Sequence, residues 1–242
     1  PTRKPRWRAA LRNGGATEEP GLDNPDDPNR PDDPNDPIDD PGDEPLIIEH
    51  QGRRFGLTIC EDIWTHPSLE AKSRYDHDPL DSLAEREIDF LINLSASPWY
   101  YGKTPVREAL IANAAQRCGC PTVYCNAVGG NDELVFDGRS LAMNPDGGVI
   151  AALGGFREEL RVVDMDRDVS AISAHYQRGE SAEIHDALVL GLRDYALKSG
   201  FKKALLGLSG GIDSSVTAVL AVEALGAENI IGISLPSRIS SA

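Results

Sequence analysis

Two short stretches hold residue types able to do chemistry. The first is Ser209-Gly210-Gly211-Ile212-Asp213-Ser214-Ser215. Gly210 and Gly211 let a ligand approach the backbone closely, and Ser209, Ser214 and Ser215 offer hydroxyl donors. Exposed N–H groups at a helix start favour a phosphate. Asp213 would repel an anion directly, so its expected job is to hold Mg²⁺ against the phosphates. No Gly-Lys-Ser/Thr occurs, so this is not the common P-loop. The second stretch is Gly56-Leu-Thr-Ile-Cys60-Glu61-Asp-Ile-Trp64. A cysteine ending an apolar run can be held rigidly yet presented at a strand-to-helix turn. Its reactive form is the thiolate, which needs a base or nearby positive charge. A cysteine after a strand is more often structural; here Glu61-Asp-Ile-Trp64 favours a functional reading.

Elements must position both stretches. Residues 46–50 and 54–59 predict two strands about Gln51-Gly52, and 88–94 predicts a buried strand. A helix is expected from Thr104-Pro105 to about Arg117, with Thr104 as its cap and a stop at Gly119. Further strands are expected at 121–128 and 159–165, and a hairpin at 140–152 about Pro145-Asp-Gly-Gly148. From Ile184 the pattern changes. A helix to Ser199 precedes a strand at 203–208, the glycine-rich turn, a helix at 213–225 and a strand at 230–235. That is the opening βαβ unit of a parallel sheet. The 27 residues after Ser215 are too few to complete a nucleotide-binding domain.

Composition narrows the class. Residues 18–44 hold twelve acidic residues against Arg30 alone, so they supply −11 of the net charge of −15. The remainder is nearly balanced, without a basic stripe for nucleic acid. Residues 20–45 hold eight of the seventeen prolines. Such a segment buries too little apolar surface to offset its ordering entropy, so 1–45 is expected to be disordered or extended. Its Asp cluster lacks the glycine turn and final Glu of an EF-hand loop. Cys60, Cys118, Cys120 and Cys125 are too sparse for a disulfide framework, which fits a reducing, cytoplasmic setting. Cys118-Gly-Cys120 with Cys125 lacks zinc-knuckle spacing and a nearby His, so buried core cysteines are the expectation. No apolar run reaches membrane-spanning length, and the basic N-terminus lacks an apolar signal core. Without an initiator Met, a processed end or a fragment is expected.

The 209–215 loop resembles the SGGxDS loop of ATP pyrophosphatases, which adenylate a substrate and release pyrophosphate. Asp194-Tyr195, Lys198-Ser-Gly-Phe201, Gly207-Leu208 and Gly232-Ile-Ser-Leu-Pro-Ser-Arg238 resemble the NAD⁺ synthetase branch. There the Pro-Ser-Arg turn helps form the ATP site, which makes Arg238 a nucleotide-contact residue by resemblance. The Cys60 segment resembles the nucleophile region of the nitrilase, or carbon–nitrogen hydrolase, superfamily. Asn93-Leu-Ser-Ala-Ser97-Pro98, Tyr101-Gly-Lys103 and Val128–Gly138 look like the glutaminase domain of glutamine-dependent NAD⁺ synthetases.

The resemblance implies an α/β chain. A nitrilase-like αββα sandwich, incomplete at its N-terminus, would occupy 46–165. A linker would fill 166–183, and the first βαβ unit of a Rossmann-like adenine-nucleotide-binding domain 184–242. It implies glutamine contacts at Glu61, Ser97 and Lys103, and ATP contacts at Ser209, Gly210, Gly211, Asp213, Ser214, Ser215 and Arg238. It further implies small-molecule substrates (glutamine, ATP with Mg²⁺, deamido-NAD⁺) and a homo-oligomer. In the family's reaction, glutamine hydrolysis supplies ammonia, and ATP adenylates deamido-NAD⁺ for amidation. A stand-alone carbon–nitrogen hydrolase and a non-catalytic interaction protein are the alternatives.

The pattern departs from the family at one point. The catalytic Glu and Lys should both precede the cysteine, yet the only lysine before Cys60 is Lys4, in an unrelated context. Lys103 and Glu133 follow Cys60 and do not fill these roles. Loss of an oxyanion donor costs ~10²–10³ in rate, so the chain alone is expected to be inactive as a glutaminase.

Overall fold

A computed structural model describes residues 8–12, 14–15, 44–65, 78–165 and 171–234. Three parallel strands form the centre: β4 (Arg53–Ile59), β5 (Phe90–Ser95) and β6 (Thr122–Asn131). The hairpin partner β3 (Leu46–His50) lies outside β4. On the other side β6 pairs antiparallel with β8 (Leu141–Met143), β8 with β9 (Val149–Ala152), and β9 parallel with β11 (Ala171–Ile172). β7 (Leu134–Asp137) folds back on β6.

Alternation along the strands sorts side chains into two layers. Leu91, Tyr124, Leu141, Met143 and Ala152 point to one face. There they meet α1 (Pro79–Ala84) and α2 (Lys103–Cys118) through Leu80, Leu83, Ile111, Ala114 and Ala115. Val123, Ala142 and Ala151 point the other way, against Val163 of β10 (Leu160–Asp164). β10 pairs antiparallel with β1 (Arg8–Arg12), so a second β layer lies over the far face. Helix, sheet and sheet form the nitrilase-like stack. Each fully buried Leu or Ile stabilises it by about 1.5–3 kcal/mol.

Within 1–45, expected to be disordered or extended, residues 8–12 and 14–15 form paired strands. Arg8–Arg12 pairs with β10, and β2 (Gly14–Gly15) pairs parallel with β6 at Ala127 and Val128. These residues precede the acidic proline tract and keep their backbone donors for a ladder. The tract from 16 to 43 lies outside the described residues. The expected linker is also partly structured. Tyr176 is 2% exposed within the helix-side core, and α3 (Glu180–Lys198) begins four residues before Ile184. Gly119 closes α2 at φ 61° as expected, but its N-cap is Gly102 rather than Thr104. Asp78-Pro79 starts the unexpected α1 by accepting the Leu80 N–H at 2.9 Å.

The C-terminal unit follows the expected order: β12 (Ala204–Gly207), α4 (Ile212–Leu225) and β13 (Ile230–Ile233), with β12 and β13 parallel. Ile212, Val216 and Val219 leave an apolar stripe of α4 exposed among the described residues.

Candidate active site

Cys60 stands at the carboxyl end of β4, beside the end of β5 and level with Cys125 and Asn126 of β6, at the strand ends where open parallel sheets place their ligands. It opens the short 3₁₀ turn Cys60–Ile63 at φ 43°, a conformation that costs a non-glycine residue energy. Neighbours hold it there. Asp62 Oδ2 accepts the Ile59 N–H at 2.7 Å, and the Trp64 N–H reaches the Glu61 carbonyl at 2.8 Å. Asn93 donates to Thr58 Oγ1 at 3.0 Å and to the Cys60 carbonyl at 3.5 Å. The turn therefore presents the sulfur on a fixed backbone.

A cavity of about 200 Å³ opens nearby; Trp64, Ser97, Tyr100, Lys103, Arg107 and Tyr124 line it together with aliphatic side chains of the same turn and of α2, and Cys60 lies outside the lining. Lys103 is only 8% exposed. Its ammonium donates to the Pro98 carbonyl and lies 5.2 Å from the Tyr100 ring centre and 5.8 Å from that of Trp64. Burial and the neighbouring Arg107 push its pKa down to about 8, against the opposing pull of Asp137 and Cys60. Lys103 thus joins Cys60 and the cavity electrostatically. Ser97 is held by Asn126 Oδ1, which accepts its N–H at 2.9 Å. Burial raises the Tyr124 phenol, and hydrogen bonds to Ser95 and Ser97 and the charge of Arg107 oppose that.

Buried charges support this pocket. Arg107 forks onto Asp137 at 2.9 and 2.6 Å, with both side chains almost fully enclosed. Burial works against the guanidinium charge, but Asp137 outweighs it and raises the Arg107 pKa. Arg139, at φ 53°, lies 3.6 Å from the same carboxylate. It donates to Thr104 Oγ1 at 2.6 Å and to Glu183 of α3 at 2.7 Å.

The phosphate-loop residues form the turn between β12 and α4. Gly210 has φ 82°, and Asp213 lies in the first helical turn. Ser209 Oγ stands 3.1 Å from Ser214 Oγ, while Ser214 and Ser215 donate to the Gly211 carbonyl at 3.0 Å. The turn is exposed, and a Cβ added at Gly210 would meet nothing within 4 Å. Open space above a helix start fits a phosphate.

The structure therefore groups Cys60, Ser97 and Lys103 at one end of the sheet, with Glu61 beside Cys60 in the same turn. It places Ser209, Gly210, Gly211, Asp213, Ser214 and Ser215 together on a different turn. Arg238 and Lys4 lie outside the described residues. Of the acidic residues described ahead of Cys60, Glu44 and Glu49 are exposed, and Glu49 lies 3.8 Å from Arg54. Arg107, Tyr100, Tyr124, Asn93 and Asn126 were not expected. The signal for Arg107 was present: Lys103 and Arg107 stand four apart on a helix and share a face. Among the described residues no cluster of His, Cys, Asp and Glu could hold a metal, and all four cysteines are free. No described helix is long and apolar enough to cross a membrane.

Known proteins share both parts. The carbon–nitrogen hydrolase family model matches residues 12–173, and the NAD synthase model matches 184–242. A glutamine-dependent NAD⁺ synthetase from Synechocystis is 44% identical over 192 residues, covering 78% of this chain and 34% of the relative. One from Aquifex aeolicus is 38% identical over 234 residues, covering 83% and 40%. A solved glutamine-dependent NAD⁺ synthetase from Acinetobacter baumannii, in complex with ADP, superposes with a TM-score of 0.72 at 34% identity, covering 83% of this chain and 36% of that one. The chain thus spans roughly 34–40% of the length of these relatives.

Proposed function

Because this chain belongs to the carbon–nitrogen hydrolase family and continues into an NAD synthase segment, we propose that it carries the amide pocket and the phosphate loop of glutamine-dependent NAD⁺ synthesis. One observation carries the reading. Cys60 is strained at a strand end beside a cavity holding Lys103 and Ser97, and the same chain bears a glycine–serine turn on a helix start.

Glutamine enters the cavity with its amide toward Cys60. Lys103 and Ser97 take the α-carboxylate and α-ammonium, and Glu61 completes that contact. The turn 209–215 takes ATP phosphates, with Asp213 holding Mg²⁺ and Arg238 adding a nucleotide contact. When bound, ATP supplies the adenylate that activates deamido-NAD⁺; the chain's own residues grip the phosphates and neutralise their charge. The setting is cytoplasmic and the assembly a homo-oligomer of the intact synthetase. Domain limits at 46–165, 166–183 and 184–242 serve this division of labour, with the strands at 8–15 added to the first.

Without the family's Glu and Lys, the pocket binds and positions but does not turn over. The test is a chloroketone analogue of glutamine. The expected result is one covalent label on Cys60, suppressed by free glutamine, with no steady ammonia release from glutamine itself. Labelling that ignores glutamine removes the amide-site reading; sustained ammonia release abolished by Cys60→Ala removes the claim of inactivity. Inorganic pyrophosphate with Mg²⁺ should bind the parent chain and lose affinity in Gly210→Ala, whose Cβ is strained at φ 82°.

A further inference from the structure

The buried charges behind the pocket run in one line from α3 to Lys103. Glu183 accepts from Arg139 at 2.7 Å, Arg139 stands 3.6 Å from Asp137, and Asp137 holds Arg107 in a two-pronged bond. Arg107 lines the cavity with Lys103. Two arginines therefore face one carboxylate, and Glu183 supplies the second negative charge. Arg139 is fully enclosed, lies 5.5 Å from the Phe156 ring centre, and holds a left-handed backbone. Glu183 lies in the first turn of α3, one residue before the NAD synthase match begins. The line thus runs from inside the hydrolase match to the residue just ahead of the NAD synthase match.

We propose that Glu183 is a positioning residue for the Cys60 pocket: by engaging Arg139 it leaves Asp137 to Arg107, and so sets the charge around Lys103. This deepens the reading of the cavity as an amide site and rests on it for its functional meaning. The charged and titratable groups facing Lys103 are Arg107 on α2, Asp137 on β7 and Cys60 after β4, with Tyr100 and Tyr124 in the wall. Removing the Glu183 charge leaves Arg139 to draw on Asp137. Arg107 is then less well neutralised, and the field at Lys103 becomes more positive. That disfavours the ammonium.

The readout is the pH dependence of Lys103 acylation by a small lysine-directed reagent, followed by peptide mass spectrometry on the full chain. Only the free amine reacts, so the midpoint reports its titration. The parent midpoint is expected near 8. Glu183→Gln should lower it by about half a pH unit or more, and Glu183→Asp, which keeps the charge, should stay with the parent. An unchanged midpoint in folded Glu183→Gln overturns the proposal. So does an equal shift in both variants, because shape rather than charge would then be responsible. If Glu183→Gln does not fold, Glu183→Gln with Arg139→Met decides the matter. That pair returns Asp137 to Arg107 alone, so its midpoint should match the parent, and a lower one overturns the proposal. Protection of Lys103 by glutamine tests the amide-site reading separately, since the midpoint shift requires no substrate.

Discussion

Gly191 of α3 lies so close to Gly130 of β6 that a Cβ built on Gly130 would stand 3.1 Å from the Gly191 Cα. The same residue is gripped through both its N–H and its carbonyl. The Gly130 N–H donates to Asp194 Oδ2 at 2.7 Å, and Lys198 donates to the Gly130 carbonyl at 2.8 Å. Two polar anchors and one close approach seat the NAD synthase helix on the hydrolase sheet.

The first prediction tests that seat. In Gly130→Ala the new methyl meets helix backbone, which the Asp194 and Lys198 anchors keep from yielding. The expected cost is about 1–3 kcal/mol in urea unfolding. Gly207→Ala is the control, because nothing lies within 4 Å of its added Cβ. Equal stability of the two variants would sink the idea of a tight seat.

A second prediction concerns Asp137, which is fully buried between Arg107 and Arg139. Asp137→Asn leaves two enclosed guanidinium groups without their shared carboxylate. Breaking a buried pair by removing one partner costs about 3–5 kcal/mol. Denaturant titration should show a loss in that range. A loss under about 1 kcal/mol would mean that water already screens these charges.

These two predictions rest on contacts that the sequence conveyed unequally. The βαβ unit and the Gly119 stop were legible because local patterns specify them: apolar runs, a glycine able to take φ 61°, and a glycine–serine turn. Cys60 and Lys103 could be named as candidates for one glutamine site through resemblance, but the buried Arg107–Asp137 pair behind Lys103 could not, since 30 positions separate its members along the chain. Arg139 and Glu183 were invisible for the same reason. Nothing in Phe-Asp-Gly-Arg-Ser marks Arg139 for burial, and only the fold encloses it against α3. Strand β1 is not legible in the composition of 1–45, because its pairing partner β10 lies about 150 positions away.

The third prediction isolates the strain at Cys60. Cys60→Ala and Cys60→Gly both lose the sulfur, but only alanine keeps a Cβ at φ 43°. A left-handed conformation costs an L-residue roughly 1–2 kcal/mol, and the greater freedom of glycine in the unfolded chain offsets part of this. Cys60→Gly should therefore be about 0.5–1 kcal/mol more stable than Cys60→Ala, while neither can be labelled at position 60. If alanine is the more stable, the turn is not strained, and the sulfur is held by packing alone.

The last prediction follows from the enclosed Lys103. Its pKa is depressed from 10.5 to about 8. The unfolded chain thus binds more protons than the folded one between those values, and the Lys103 contribution to stability rises with pH across that window. Below about 8 the penalty of burying the ammonium is complete; toward 10.5 it fades. Lys103→Met keeps the stem and removes the charge, so it should be more stable than the parent by on the order of 2–3 kcal/mol at pH 7. The advantage should shrink steadily from pH 8 to 10. Cys118 and Cys120 act in the opposite direction, since burial pushes their thiols up to about 11 and about 12, and the stability they add is lost as pH rises beyond 9. Both variants share those cysteines, so subtracting parent from Lys103→Met cancels them. Urea unfolding at pH 7, 8, 9 and 10 reads the difference directly. A gap independent of pH would mean that Lys103 titrates as freely in the folded protein as in the unfolded chain.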